Sequence, residues 1–155
     1  MTDTTVITRM LFAIDALDWA TVRKCLADQV ELDYTSLFGG EPQTIAADTL
    51  LEQWSGLLPG FDATQHLTGP VVETADDRIE THVRAVHVLG DEVWGVHGHY
   101  VADLRDDRIC ALTLRLFYQD GNRDLPAAAL ERAKNLATTL NQPKRRRACL
   151  LIPGG

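Results

Sequence analysis

RIETHVRAVHVLGDEVWGVHGHYVADLRDDRICALTLRLFYQDG, residues 78–121, decides the fold. In its first third, Ile79, Val83, Ala85, His87 and Leu89 fall on one face, and Arg78, Glu80, His82 and Arg84 on the other. A period of two is the mark of a half-buried strand. Gly90-Asp91 and the break from Arg105 to Asp107 divide the stretch into three such strands. Breaks this short predict antiparallel hairpins. Just upstream, TQHLTGPVVE (64–73) carries the same period, with a break from Ala75 to Asp77. VELDYT (30–35) is a further strand, in which Val30, Leu32 and Tyr34 alternate with Glu31, Asp33 and Thr35.

Around these strands the period changes to that of a helix. Val6, Ile7, Met10, Leu11, Ile14 and Leu17 form one apolar stripe. Asp18 is placed to cap a short second helix carrying Trp19, Val22 and Leu26 inward. Residues 45–58 read as a third helix, with Ala47, Leu50, Leu51, Trp54, Leu57 and Leu58 on one side and Pro59-Gly60 as its stop. FGGEPQ (38–43) reads as a loop; it lacks the Lys-Ser/Thr that a phosphate-binding loop requires. Asp120-Gly121-Asn122 ends the last strand, and Asp124 to Leu140 reads as a final helix with Leu130, Ala133, Leu136, Ala137 and Leu140 in a stripe. The order helix, helix, strand, helix, four strands, helix predicts an α+β fold, a curved antiparallel sheet with its helices on one face. No repeat or linker divides it, so residues 1–141 read as one domain and 142–155 as a basic and apolar tail.

With 155 residues, 45% of them hydrophobic and 24% charged, the chain has the composition of an ordinary globular domain. Its formal charge is −7. Lys144, Arg145, Arg146 and Arg147 hold four of the 15 basic residues, so the remaining chain sets 11 basic against 22 acidic side chains. Such a body repels phosphate backbones, which argues against nucleic acid as a partner. No apolar run reaches the length of a membrane span. MTDTTVITRM lacks the basic and long apolar regions of a secretion signal. Cys25, Cys110 and Cys149 are scattered and form no CxxC pair, so free thiols in a reducing cytoplasm are expected.

A polar group on an apolar face needs a partner, since burying it bare costs a few kcal/mol. Asp15 follows Leu11 and Ile7 by four and eight residues and so projects from the core-facing stripe of the first helix. His87 lies on the apolar face of its strand, His82 on the wet one, and Tyr34 shares an inward face with Val30 and Leu32. His66 stands between Gln65 and Leu67, where alternation does not decide its face. If Asp15, Tyr34, His66 and His87 converge, they form a working set: a carboxylate orients an imidazole, the imidazole moves a proton, and a phenol supports a developing oxyanion. Four separately hydrogen-bonded core residues would satisfy the same pattern.

The stretches AIDALDWATVRKCL, ELDYTSLF, TQHLTG and HVRAVHVLG, in this order and spacing, resemble the NTF2-like superfamily in its SnoaL-like branch. Within it the chain is most similar to the scytalone dehydratases, and more distantly to the lindane dehydrochlorinases. The resemblance implies an NTF2-like cone, with helices packed on the concave face of the curved sheet. It places Asp15 at the family's helix-1 aspartate, Tyr34 at a tyrosine that holds a water on the substrate carbonyl, and His66 and His87 at two active-site histidines. The dehydrochlorinases pair the aspartate with the histidine at the position of His66; which histidine is the base here stays open. Ile14 replaces a second tyrosine, and Ala102 and Leu104 fall where the dehydratases carry a serine and an asparagine. A more apolar substrate than scytalone is therefore expected, held by Ile14, Phe38, Trp54, Trp94 and Tyr100.

What the resemblance implies is a lyase that eliminates water from a small, largely apolar hydroxy-carbonyl compound by Asp–His acid–base chemistry, without a metal or organic cofactor. Isomerisation, epoxide hydrolysis and cyclisation are alternatives on the same pocket, and so is a non-catalytic protein that binds a small ligand. His97-Gly98-His99 has the spacing of a chelate, but alternation turns both rings to the outer face. That face, with His97, His99, Arg115 and Phe117, is the expected contact of a homodimer or homotrimer, because related cones pair through their convex side. Cys25 and Cys110 read as small core residues.

Overall fold

A computed structural model describes residues 1–141; the tail with Lys144–Arg147 and Cys149 lies outside the described residues. The chain opens with helices α1 (Val6–Asp15) and α2 (Trp19–Cys25) and strand β1 (Leu26–Asp33). A one-turn helix α3 (Thr35–Phe38), strand β2 (Gln43–Ala46), helix α4 (Ala47–Ser55) and a 3-10 turn (Leu58–Gly60) follow. Strands β3 (Ala63–Thr68), β4 (Val72–Ala75), β5 (Arg78–Leu89), β6 (Glu92–Arg105) and β7 (Arg108–Gly121) complete the sheet, and α5 (Leu125–Leu140) closes the described chain.

The sheet order is β2-β1-β7-β6-β5-β3, with β4 also paired to β5. It is curved and unclosed, and every pair but one is antiparallel. The exception is β1 with β7, which run parallel. Hairpin length fixes the direction of consecutive strands only, and these two are far apart in the chain, with Glu31 paired to Ala111. Both long hairpins turn on two residues. Leu89 pairs with Glu92 across Gly90 at φ +60°, and Arg105 with Arg108 across Asp106 and Asp107, both at positive φ. Aspartate is among the few side chains that tolerate this region, because its carboxylate can bond locally.

On the concave face α1 buries Val6, Ile7, Met10, Leu11 and Ile14 in one core with Ile79, Val83 and Ala85 of β5. Each of the Val, Ile, Leu and Met side chains contributes roughly 1.5–3 kcal/mol of transfer free energy before entropy is counted. Asp18 caps α2 as expected, accepting from the Thr21 amide at 3.1 Å. The fold is thus the predicted α+β cone with its helices on the concave side.

Three local expectations are corrected. Residues 45–58 are not one helix. Gln43–Ala46 pair with Leu32–Gln29 of β1, and only from Ala47 does the chain turn helical. That edge of β1 would otherwise leave its amides and carbonyls unpaired, which outweighs helix propensity. The strand-like segment 64–73 divides at Gly69-Pro70, since proline brings no N–H to the ladder. In α5 the buried residues are Leu125, Ala129 and Ala133, while Leu130, Leu136 and Leu140 of the expected stripe are 39%, 43% and 85% exposed. The helix approaches the backbone of Gly60 so closely that a Cβ there would lie 1.8 Å from the Ala129 carbonyl. Only its alanine face permits that distance.

Candidate active site

Asp15 is the last residue of α1, a position where the helix dipole disfavours a carboxylate. Three donors from β3 offset this. His66 Nδ1 lies 2.7 Å from Oδ1, the His66 amide donates to Oδ2 at 2.7 Å, and the Thr64 hydroxyl donates to Oδ1 at 2.8 Å. Thr64 and His66 reach one carboxylate because residues two apart in a strand share a face. Burial works to raise the Asp15 carboxyl, but the His66 ring and amide and the Thr64 hydroxyl together hold it below the usual carboxylate value. A carboxylate is an acceptor, so Nδ1 carries the proton of the neutral ring and Nε2 is its free nitrogen. Both side chains are largely enclosed, Asp15 19% and His66 9% exposed.

His87 of β5 stands edge-on to His66, with ring centroids 6.0 Å apart. It makes no bond to Asp15. Its Nδ1 donates to the Trp94 carbonyl at 3.1 Å, and its ring packs between Phe61 (5.1 Å) and Trp94 (4.4 Å). Burial pushes this imidazole down to about 4, against the opposing pull of the Trp94 carbonyl. His87 is therefore neutral near pH 7, with Nε2 as an acceptor. The Trp94 indole is itself fixed by donation to Gln119 Oε1 at 2.8 Å.

Tyr34 caps α3 rather than ending β1, because Asp33 accepts from the Thr35 amide and hydroxyl and starts a turn. Its hydroxyl meets that of Tyr100 on β6 at 3.1 Å. Burial raises both phenols, so both stay protonated.

Of these groups Tyr34, His66, His87, Trp94 and Tyr100 line one cavity of about 350 Å³. The buried side chains of Leu11, Ile14, Ala85, Trp94, Val96 and Leu114 form its floor and walls. The exposed Phe38, Glu41, Gln43 and Gln53 mark its mouth. All nine residues singled out in the sequence for catalysis or binding, namely Asp15's partner His66, His87, Tyr34, Ile14, Phe38, Trp54, Trp94, Tyr100 and, through its ion pair, Asp15 itself, belong to this site. Phe38 does so at the rim, 65% exposed. Ala102 and Leu104 are buried but do not line the cavity. The sequence reading missed Thr64, although its place two residues before His66 would have found it. It also missed the Trp94 carbonyl, for which a backbone atom offers no sequence signal.

On the outer face, His99 meets Glu80 at 2.6 Å, and His97 stacks on Tyr118 with Nε2 3.2 Å from Asp120. Among the described residues no group of three or more His, Cys, Asp or Glu side chains is arranged to hold a metal ion. Cys25 is buried in the core; Cys110 is only partly buried, its thiol 3.4 Å from the Asp103 carbonyl. Desolvation raises both thiols, and neither lines the cavity. No described helix is long and apolar enough to cross a membrane.

Residues 4–108 match the model of the SnoaL-like domain. No curated protein matches the chain. Among solved structures, the Kfla4162 protein of Kribbella flavida is 25% identical over 80% of this chain and 91% of its own, with a TM-score of 0.68. A Novosphingobium aromaticivorans protein named "Putative Scytalone Dehydratase" is 14% identical over 74% of this chain and 81% of its own, at 0.60. An LEH-like epoxide hydrolase of M. tuberculosis is 13% identical over 87% and 93%, at 0.61. At such identities the last two support the cone fold alone, but the match of the domain model spans most of the chain. The chain belongs to the SnoaL-like family and has the cone fold of the NTF2-like proteins.

Proposed function

We propose that this protein is a lyase that removes water from a small, largely apolar β-hydroxy carbonyl compound, with His66 as the base and Asp15 as its anchor. The observation that carries this reading is the 2.7 Å contact between Asp15 and His66 in the wall of an apolar cavity. Asp15 fixes the tautomer and steadies the imidazolium that forms when Nε2 takes a proton. His66 removes the proton α to the carbonyl, and the C–H electron pair moves into an enolate whose oxygen is supported by Tyr34. The enolate collapses, the Cβ–O bond breaks, and His66 returns its proton to the departing hydroxide as water. A conjugated carbonyl compound remains. His87 takes no part as a proton donor, since its ring holds no second proton near neutral pH. Its free Nε2 instead accepts from the substrate's β-hydroxyl and keeps the leaving group in place.

The test substrate is 4-hydroxy-4-phenylbutan-2-one, whose dehydration to the conjugated enone is read by ultraviolet absorbance. Wild-type protein forms the enone, and Asp15→Asn, which keeps the shape of the side chain, lowers kcat by about 10²–10⁴-fold, the usual contribution of acid–base catalysis. Unchanged turnover in Asp15→Asn removes the dyad from the mechanism. The names of the neighbours also include an epoxide hydrolase. Product analysis separates the two chemistries, because elimination releases water and hydrolysis consumes it.

A further inference from the structure

The hydroxyls of Tyr34 and Tyr100 are 3.1 Å apart, and among the described residues each is the other's sole hydrogen-bond partner. Each phenol carries one proton. The mutual bond uses one of the two, whichever ring donates it. The second O–H is left without an acceptor although Tyr100 is only 4% exposed, and both residues line the cavity. A buried donor without an acceptor is costly, and native structures rarely leave one. The Asp15 carboxylate is already engaged by Thr64 and His66.

We infer that Tyr34 and Tyr100 act together as a paired-phenol cradle for one acceptor oxygen of the ligand, a carbonyl: one phenol donates to the ligand and the other donates to that phenol, so binding of the carbonyl draws on Tyr100 whichever ring faces it. The inner hydrogen bond polarises the outer one, so the second phenol strengthens the donor that meets the ligand. Burial keeps both phenols protonated, so the pair always holds one proton to spare for the ligand. Selectivity follows: a ligand of the same shape without the oxygen leaves the spare proton unpaired and is discriminated against. This inference rests on the lyase reading only for what happens after binding.

Two ligands of matched shape test it without turnover: 2-acetylnaphthalene, which has the carbonyl, and 2-ethylnaphthalene, which does not. Tryptophan fluorescence reads affinity, and infrared spectroscopy of the carbon-13-labelled ketone reads the hydrogen bond at its carbonyl. Wild-type protein should bind the ketone in preference to the hydrocarbon and lower its C=O stretching frequency relative to an apolar solvent. In Tyr100→Phe the ketone's advantage should fall about two- to tenfold, in line with one hydrogen bond. Its C=O frequency should move back up, with binding of 2-ethylnaphthalene unchanged. The inference is overturned if Tyr100→Phe weakens both ligands alike, which marks a packing role, or alters neither. Wild-type protein that shows no preference for the ketone overturns it as well. A lowered C=O frequency without enone formation from the hydroxy ketone would defeat the lyase reading and leave the cradle standing.

Discussion

His87 is held neutral by its place between two aromatic rings, and this makes it a liability in acid. The unfolded imidazole takes up its proton near 6.5, whereas the folded one does so only near about 4. Between these values the unfolded chain binds a proton that the native chain does not, so stability falls as the pH drops from 6.5 towards 4 and the loss levels off below. A displacement of this size corresponds to about 3 kcal/mol. Asp15 acts further down the scale: its depressed carboxyl stabilises the fold above the ordinary value of 3.8 and loses that contribution as the pH falls through its native one. Urea midpoints measured from pH 7 to pH 4 should therefore decline in the wild type and decline less in His87→Gln. Glutamine can still donate to the Trp94 carbonyl but does not titrate. Equal slopes in the two proteins would mean that His87 is not buried neutral. The same residues show what the sequence made legible at this scale. The alternation of β5 put His87 inward, but His66 was undecided because β3 is an edge strand with little apolar contrast. The identity of the base needed the third dimension, since the Asp15 carboxylate lies within reach of β3 and not of the ring on β5.

At the scale of the element, packing decides where pattern is ambiguous. Sequence periodicity located β5, β6, β7, α1 and α2, because these elements bury one face and expose the other. It missed β2 and α3, which are four residues long and bury no residue fully, so no period has room to develop. It also misplaced the buried face of α5: of the expected stripe Ala133 is buried, but beside Leu125 and Ala129, which the stripe left out. Leu130, Leu136 and Leu140 make a more apolar stripe than Leu125, Ala129 and Ala133, but the smaller side chains allow contact with the Gly60 backbone. Arg132 fixes that approach by donating to the Gly60 carbonyl at 3.1 Å and to Asp62 at 2.6 Å. Gly60→Ala should therefore destabilise the protein by about 1–3 kcal/mol, the range for overpacking a close contact. The cause lies in the collision and not in backbone strain, so the added methyl group should act chiefly on α5. Amide hydrogen exchange of Leu125–Leu140 should accelerate in this variant, with β5 and β6 unaffected. Uniform loss of protection across the molecule would show that α5 is integral to the cooperative unit, and unchanged protection would show that the contact is not tight.

At the scale of the whole molecule, charge selects what enters the cavity. The chain carries a formal charge of −7. Among the residues lining the cavity there is no Lys or Arg; the charged side chains at the site are Glu41 at the mouth and the Asp15 carboxylate behind His66. Neutral donors, the two phenols, are what the floor offers to an oxygen. A ligand carboxylate entering this space gives up its hydration and meets no counter-charge, while an ester of the same shape gives up little. The two penalties on the anion differ in range. Repulsion from the acidic body acts over several ångströms of solvent and is screened by salt, with a Debye length of about 8 Å at physiological ionic strength. Desolvation inside the cavity is not screened. Methyl 2-naphthoate should accordingly bind at least about tenfold more tightly than 2-naphthoate at low salt, a gap of roughly 1.4 kcal/mol. Raising the ionic strength to 0.5 M, a test concentration of roughly five times that at which the Debye length is about 10 Å, should narrow the gap without closing it. Equal affinities at all salt concentrations would require a cation in the site that residues 1–141 do not supply, and would remove the argument that this cavity selects uncharged carbonyl compounds.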